Sequence, residues 1–122
     1  MNKYQPLSPH LSIHRKIFTA VFSILHRFTG IGLSFGSILI VLWIGIVALG
    51  PSYFSIYEKI SYNLFFKFIL FIWTLVIFYH LFNGVRYLYW SFGLGMSLKS
   101  VYVSGYIVLF LTIIFTFGAW FF

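Results

Sequence analysis

The stretch Phe28–Leu49, FTGIGLSFGSILIVLWIGIVAL, runs for 22 residues without a formal charge. As a helix rising ~1.5 Å per residue it reaches ~33 Å, enough to cross a hydrocarbon core of ~30 Å. Its apolar residues are continuous rather than alternating, which selects a helix over a barrel strand; only those two structures satisfy their own backbone in lipid. Two further runs share this character: Phe68–Val85 with 18 residues and Val101–Phe122 with 22. Extended to their flanking residues, the three spans read as helices over about 20–50, 64–90 and 101–121, after a polar segment 1–17. The expectation is an all-α integral membrane protein, a single membrane domain over 1–122 with three transmembrane helices.

The connections are short. Gly50-Pro51 ends the first span, and 51–66 reads as a small interfacial turn with Tyr53, Tyr57 and Tyr62 at headgroup level. Gly93, Gly95 and Lys99 lie in the second connection, Ser91–Ser100. No internal repeat is visible.

Composition agrees with the spans. Of 122 residues, 61% are hydrophobic, 25% aromatic and only 7% charged, against about a quarter charged in a soluble domain. The net charge of +7 comes from 8 basic residues set against 1 acidic residue. It reflects missing acids rather than a wetted basic patch, which argues against nucleic acid as a partner. There is no cysteine, so thiolate ligation of an iron–sulfur cluster, disulfides and thiol chemistry are excluded. Met1–Lys16 is polar and reads neither as a secretory signal nor as an Arg-rich, Ser-rich transit peptide; a mitochondrial version is expected to be organelle-encoded. Lys3, Arg15, Lys16, Arg27, Arg86 and Lys99 fall on the side of the N-terminus, with Lys59 and Lys67 opposite. The positive-inside bias therefore puts the N-terminus on the matrix or cytoplasmic side.

Polar residues inside the spans are costly and so informative. Ser23, His26 and Arg27 follow an i, i+3, i+4 spacing at the entrance of the first helix. The bland reading is a snorkelling Arg beside an interfacial His. In the second helix, His80 falls ~20 Å from Lys67 and Arg86 ~9 Å further on, by the helical rise, so His80 is buried in the half of the bilayer that holds His26 and Arg27. A neutral imidazole at that depth can ligate a metal or a haem iron. Gly84, one turn from His80, is expected to leave room for a flat ring system; the alternative is simple helix packing around Gly84. Gly30, Gly32, Ser34 and Gly36 read as a small-residue face for close helix contact.

Three motifs in order then carry a resemblance: Pro6-Leu7-Ser8-Pro9-His10-Leu11, Ser23-Ile24-Leu25-His26-Arg27 with Thr29-Gly30, and His80 with Asn83-Gly84-Val85-Arg86 and Trp90. From Gln5 to near the C-terminus the chain resembles the cytochrome b large membrane-anchor subunit of succinate dehydrogenase, respiratory complex II. The resemblance implies one haem b shared with a small anchor subunit, with His80 as the axial ligand from this chain and the opposite ligand from that subunit. It implies His26 and Arg27 near the haem propionates, and Ser23 and Arg27 in the pocket for ubiquinone, the substrate. It also implies a heteromeric helix bundle in a mitochondrial or bacterial inner membrane, docked to an iron–sulfur subunit and a flavoprotein subunit. No complete active site belongs to this chain alone. The pattern departs from the family at Tyr87, where His is usual, at Ser91 for Asp, at His14 for Tyr and at Gln5 for Arg.

Three other readings compete. A proton-coupled transporter wants ionisable groups, often acids, on a water-filled path, yet the only acid is Glu58, in a connection. A self-contained cytochrome would use His26 and His80 on one iron. A fumarate-reducing complex would use a similar anchor in reverse.

Overall fold

A computed structural model describes residues 18–121, four helices in the order α1 (Phe18–Ala48), α2 (Pro51–Ser61), α3 (Leu64–Ser91) and α4 (Leu98–Phe121). The motif Pro6–Leu11, the segment 1–17 and the basic residues Lys3, Arg15 and Lys16 lie outside the described residues. Three of the helices, α1, α3 and α4, are long and apolar enough to cross a membrane, and the chain is an all-α membrane protein.

Where a turn is expected between the first two spans, the structure forms the 11-residue helix α2. Gly50, at φ 98°, takes a backbone conformation that side chains with a Cβ resist, and so turns the chain sharply out of α1. Pro51 then occupies the start of α2, where its missing N–H costs nothing and its fixed φ suits the helix. At ~16 Å by the helical rise, α2 is too short to cross. The Tyr57 ring stands edge-on to Phe66, with centroids 6.4 Å apart, and Lys67 lies over the Tyr62 ring at 5.4 Å, an interfacial arrangement of aromatic body and cationic head. Asn63 then caps α3, its side-chain oxygen accepting the Phe65 N–H at 2.8 Å.

α3 packs against both α1 and α4 and forms the middle of the bundle. Its seam with α1 is antiparallel and built on small residues. A Cβ at Gly36 would overlap the Trp73 indole; one at Gly32 would lie 3.7 Å from Val76, and one at Gly30 3.3 Å from His80. Such faces let backbones approach where lipid supplies no hydrophobic drive for association. On the other flank, Phe71 stacks edge-on with Phe117 and Trp120, and Phe78 and Phe82 pack on Phe115. α4 meets α1 where Phe18 and Phe22 fill the space over Gly105.

The burial pattern inverts that of a soluble protein. Phe35 is 71% exposed and Leu64 82%, while the interior holds Asn83 at 0%, Arg86 at 4% and Thr116 at 1%. Thr112 and Thr116 donate to the carbonyls of Val108 and Thr112, each at 2.7 Å, so their hydroxyls are satisfied within α4. Large apolar side chains face outward to lipid or neighbouring helices.

Gly36→Ala is expected to destabilise the subunit by ~1–3 kcal/mol through overpacking against Trp73. Gly45→Ala, whose added methyl meets open space, is expected to change stability by less than ~0.5 kcal/mol. Thermal denaturation of the purified assembly compares the two; equal midpoints would contradict the seam.

Candidate functional site

The N-terminal part of α1, the C-terminal part of α3 and the first turns of α4 converge around a row of polar side chains. On α3, Tyr79, Asn83 and Arg86 recur at i, i+4, i+7 and all three are buried, so one face of the helix carries them inward. The Tyr79 hydroxyl and the Asn83 amide both donate to the Phe22 carbonyl, at 3.2 Å and 3.4 Å. Arg86 ties the third helix in: Nε donates to Ser104 Oγ at 2.9 Å, Nη2 to the Val101 carbonyl at 2.8 Å and Nη1 to Asn83 Oδ1 at 3.4 Å. Its guanidinium lies 4.2 Å from the Trp90 ring centroid and 4.9 Å from that of Phe22. No carboxylate is near, because Glu58 is the only acidic side chain and lies in α2, at the other end of the bundle. Hydrogen bonds and aromatic faces therefore hold this charge without a counter-ion.

The neighbouring strip of the α1–α3 seam holds the imidazoles. His26 and His80 stack with centroids 3.9 Å apart and planes 13° from parallel. Thr29 Oγ1 lies 2.9 Å from the His26 carbonyl, to which it donates, and 3.1 Å from His80 Nδ1. A Cβ at Gly84 would meet the His26 ring at 3.6 Å. The His26 imidazole therefore lies over Gly84 in ordinary van der Waals contact. Among the described residues His26 Nδ1 is buried without a hydrogen-bond partner, as are Trp90 Nε1 and, toward the other end of the seam, Trp73 Nε1; buried polar atoms in that state call for a partner from elsewhere.

Ser23, His26 and Arg27 separate by burial despite their shared stretch of helix. His26 turns toward α3, Ser23 is half-buried and Arg27 is exposed, and neither Ser23 nor Arg27 has a side-chain hydrogen bond among the described residues. Tyr87, at one of the departures from the family pattern, stands edge-on to His26 at 5.1 Å and to Trp90 at 5.4 Å. Ser91 bonds back to the Leu88 carbonyl at 2.7 Å.

Among the described residues no group of three or more His, Cys, Asp or Glu side chains could hold a metal ion. The stack also bears on a single iron held by both imidazoles. Ligation uses lone pairs in the ring planes, on opposite sides of the metal, whereas these rings meet face to face. At the far end of the bundle, an apolar hollow of about 360 Å³ lies between α1, α2 and α3, lined by Trp43, Tyr57 and Trp73 among others; it brings no titratable cluster to bear.

The family described as succinate dehydrogenase/fumarate reductase transmembrane subunit matches residues 1–119. The chain belongs to this family. It is 34% identical to the succinate dehydrogenase cytochrome b556 subunit of Rickettsia bellii, over 95% of this chain and 90% of the relative. It is 38% identical to the cytochrome b560 subunit of Reclinomonas americana, over 98% of this chain and 87% of the relative. Identity reaches 40% with the cytochrome b560 subunit of Marchantia polymorpha, over 87% and 81%.

Sequence reasoning placed Arg86 as a basic residue near the membrane surface and as part of a family motif, and missed its inward grip on Ser104 and Val101. The i, i+4, i+7 recurrence of Tyr79, Asn83 and Arg86 is the signal that marks it. Arg86→Ala is expected to lower the stability of the assembled subunit by ~2–4 kcal/mol, through lost charge-assisted bonds and an unpaired Asn83. Arg86→Lys is expected to restore less than half, since an ammonium lacks the planar fork. Thermal stability of the purified assembly reads both; a full rescue by Lys would contradict the grip described here.

Proposed function

We propose that this chain is the large anchor of a succinate:ubiquinone oxidoreductase, contributing one axial ligand to haem b and one wall of the ubiquinone-reduction site. The relatives are subunits of succinate dehydrogenase, an oxidoreductase, and the fold is a membrane bundle with no complete active site of its own. The observation that carries the proposal is His80, an imidazole held in the α1–α3 seam against His26 with Nδ1 engaged by Thr29. That engagement leaves the other ring nitrogen to ligate iron.

Haem b, when bound, supplies a one-electron redox centre. His80 would hold it from this chain, and the opposite ligand would come from a small anchor subunit. His26, with its unpartnered Nδ1, and the exposed Arg27 suit the propionate carboxylates as donor and cation. The Ser23 hydroxyl and the Arg27 guanidinium suit a quinone oxygen, because both can donate to the negative charge that develops as the quinone is reduced. Succinate oxidation belongs to a flavoprotein subunit and electron delivery to an iron–sulfur subunit, consistent with a chain that has no cysteine and one acid. The N-terminal side of the bundle, in the matrix or cytoplasm of a mitochondrial or bacterial inner membrane, would dock that head.

In the purified complex, His80→Ala is expected to remove the b-type signal from the reduced-minus-oxidised optical spectrum while the subunits still co-purify. An undiminished signal in that variant would move the ligand elsewhere. Arg27→Ala is expected to reduce succinate:ubiquinone activity at least tenfold with succinate oxidation by a soluble acceptor retained; equal loss of both activities would contradict a role confined to the quinone.

A further inference from the structure

Thr29 stands at the junction of two contacts that its chemistry links. A hydroxyl has one hydrogen and two lone pairs. The contact at 2.9 Å is to the His26 carbonyl, which can only accept, so the single hydrogen of Thr29 is committed there. The second contact, at 3.1 Å, is to His80 Nδ1. For this also to be a hydrogen bond, the imidazole must donate and Thr29 must accept. His80 then carries its proton on Nδ1, and its Nε2 has a lone pair.

We infer that Thr29 is a positioning residue: its hydroxyl accepts the Nδ1–H of His80 and so reserves the Nε2 lone pair of His80 for an iron ligand. The inference rests on the reading of His80 as the haem ligand. Its physical basis is that of other metal-bound histidines, whose second nitrogen donates to an acceptor that fixes tautomer and ring orientation and makes the ring a stronger donor. In hydrocarbon the effect is sharpened, because no water can replace a lost acceptor. The helical turn supports the geometry. Oγ1 is anchored to the carbonyl three residues back, and Gly30, the next residue, leaves a Cβ-sized gap against the His80 ring, where an added methyl would lie 3.3 Å from Cε1. Thr29 thus sets the angle of the ring and Gly30 admits it.

The test uses the purified complex with haem in place and four variants, Thr29→Val, Thr29→Ala, Thr29→Ser and His80→Ala. Ser34→Ala is the control, since Ser34 makes a like back-bond, to the Gly30 carbonyl at 3.1 Å, but none to an imidazole. Thr29→Val keeps the shape and removes the acceptor, and Thr29→Ala covers the case in which the Val methyl disturbs the seam. Losing the acceptor makes His80 a weaker donor to oxidised iron. The ratio of reduced to oxidised haem at a given potential is therefore expected to rise about threefold, ~28 mV in midpoint at 59 mV per tenfold. Haem retention on dilution into detergent is expected to fall about tenfold. Thr29→Ser is expected to restore both values, and Ser34→Ala to leave both unchanged. Wild-type potential and retention in Thr29→Val and Thr29→Ala would overturn the role of Thr29 alone. Haem persisting in His80→Ala would overturn the ligand reading beneath it.

Discussion

Hydrocarbon offers no hydrogen-bond partner, and this constraint accounts for the arrangement of the whole bundle. Every polar group drawn into the bilayer must find a partner within the protein or in something the protein binds. Most here find one within the chain: Thr112 and Thr116 turn back on their own helix, Trp120 donates to Thr74 at 3.2 Å, and Asn83 and Tyr79 share the Phe22 carbonyl. Arg86 is the largest such obligation. Meeting it brings α4 against α3 through Ser104 and Val101, so the charge that is most costly to bury also joins the helices.

Among the described residues, three buried nitrogens find no partner: Trp73 Nε1, beside the apolar hollow at the far end, and His26 Nδ1 and Trp90 Nε1, in the half of the bundle that holds His80. In that half Arg27 is turned outward and His80 Nδ1 lies against Thr29 Oγ1. His26, Arg27 and His80 together suit the half-site proposed above. In that proposal His80 would hold haem from this chain and a second subunit would complete its ligation across an interface. A chain with so much exposed apolar surface also has room for the neighbouring helices that such an interface requires. The proposed division of labour follows: this chain supplies ligand, donors and docking surface, and its partners supply the succinate and iron–sulfur chemistry.

The three long helices were legible because uncharged runs of 18 to 22 residues have few alternatives in water or lipid. The small-residue face at Gly30, Gly32 and Gly36 was legible too, and each glycine meets a residue of α3. Helix α2 was not, because an 11-residue interfacial helix carries neither a membrane-length run nor a side-chain cap at its start; its signal is the Gly50-Pro51 pair, which reads equally as a turn. The helical rise placed His80 in the same half of the bilayer as His26, but their stacking depends on rotation about two helix axes, which rise alone does not give. Thr29 was visible only as part of a motif. Its position between a carbonyl and an imidazole is a property of the packed seam.

The most direct measurement is an experimental structure of the assembled complex at a resolution that separates haem from side chains. The account predicts iron bonded to Nε2 of His80, Thr29 Oγ1 within hydrogen-bond reach of Nδ1, and the opposite axial ligand supplied by another subunit. Iron bound to His26 or to no residue of this chain, or His80 still stacked and turned away from the cofactor, would contradict it.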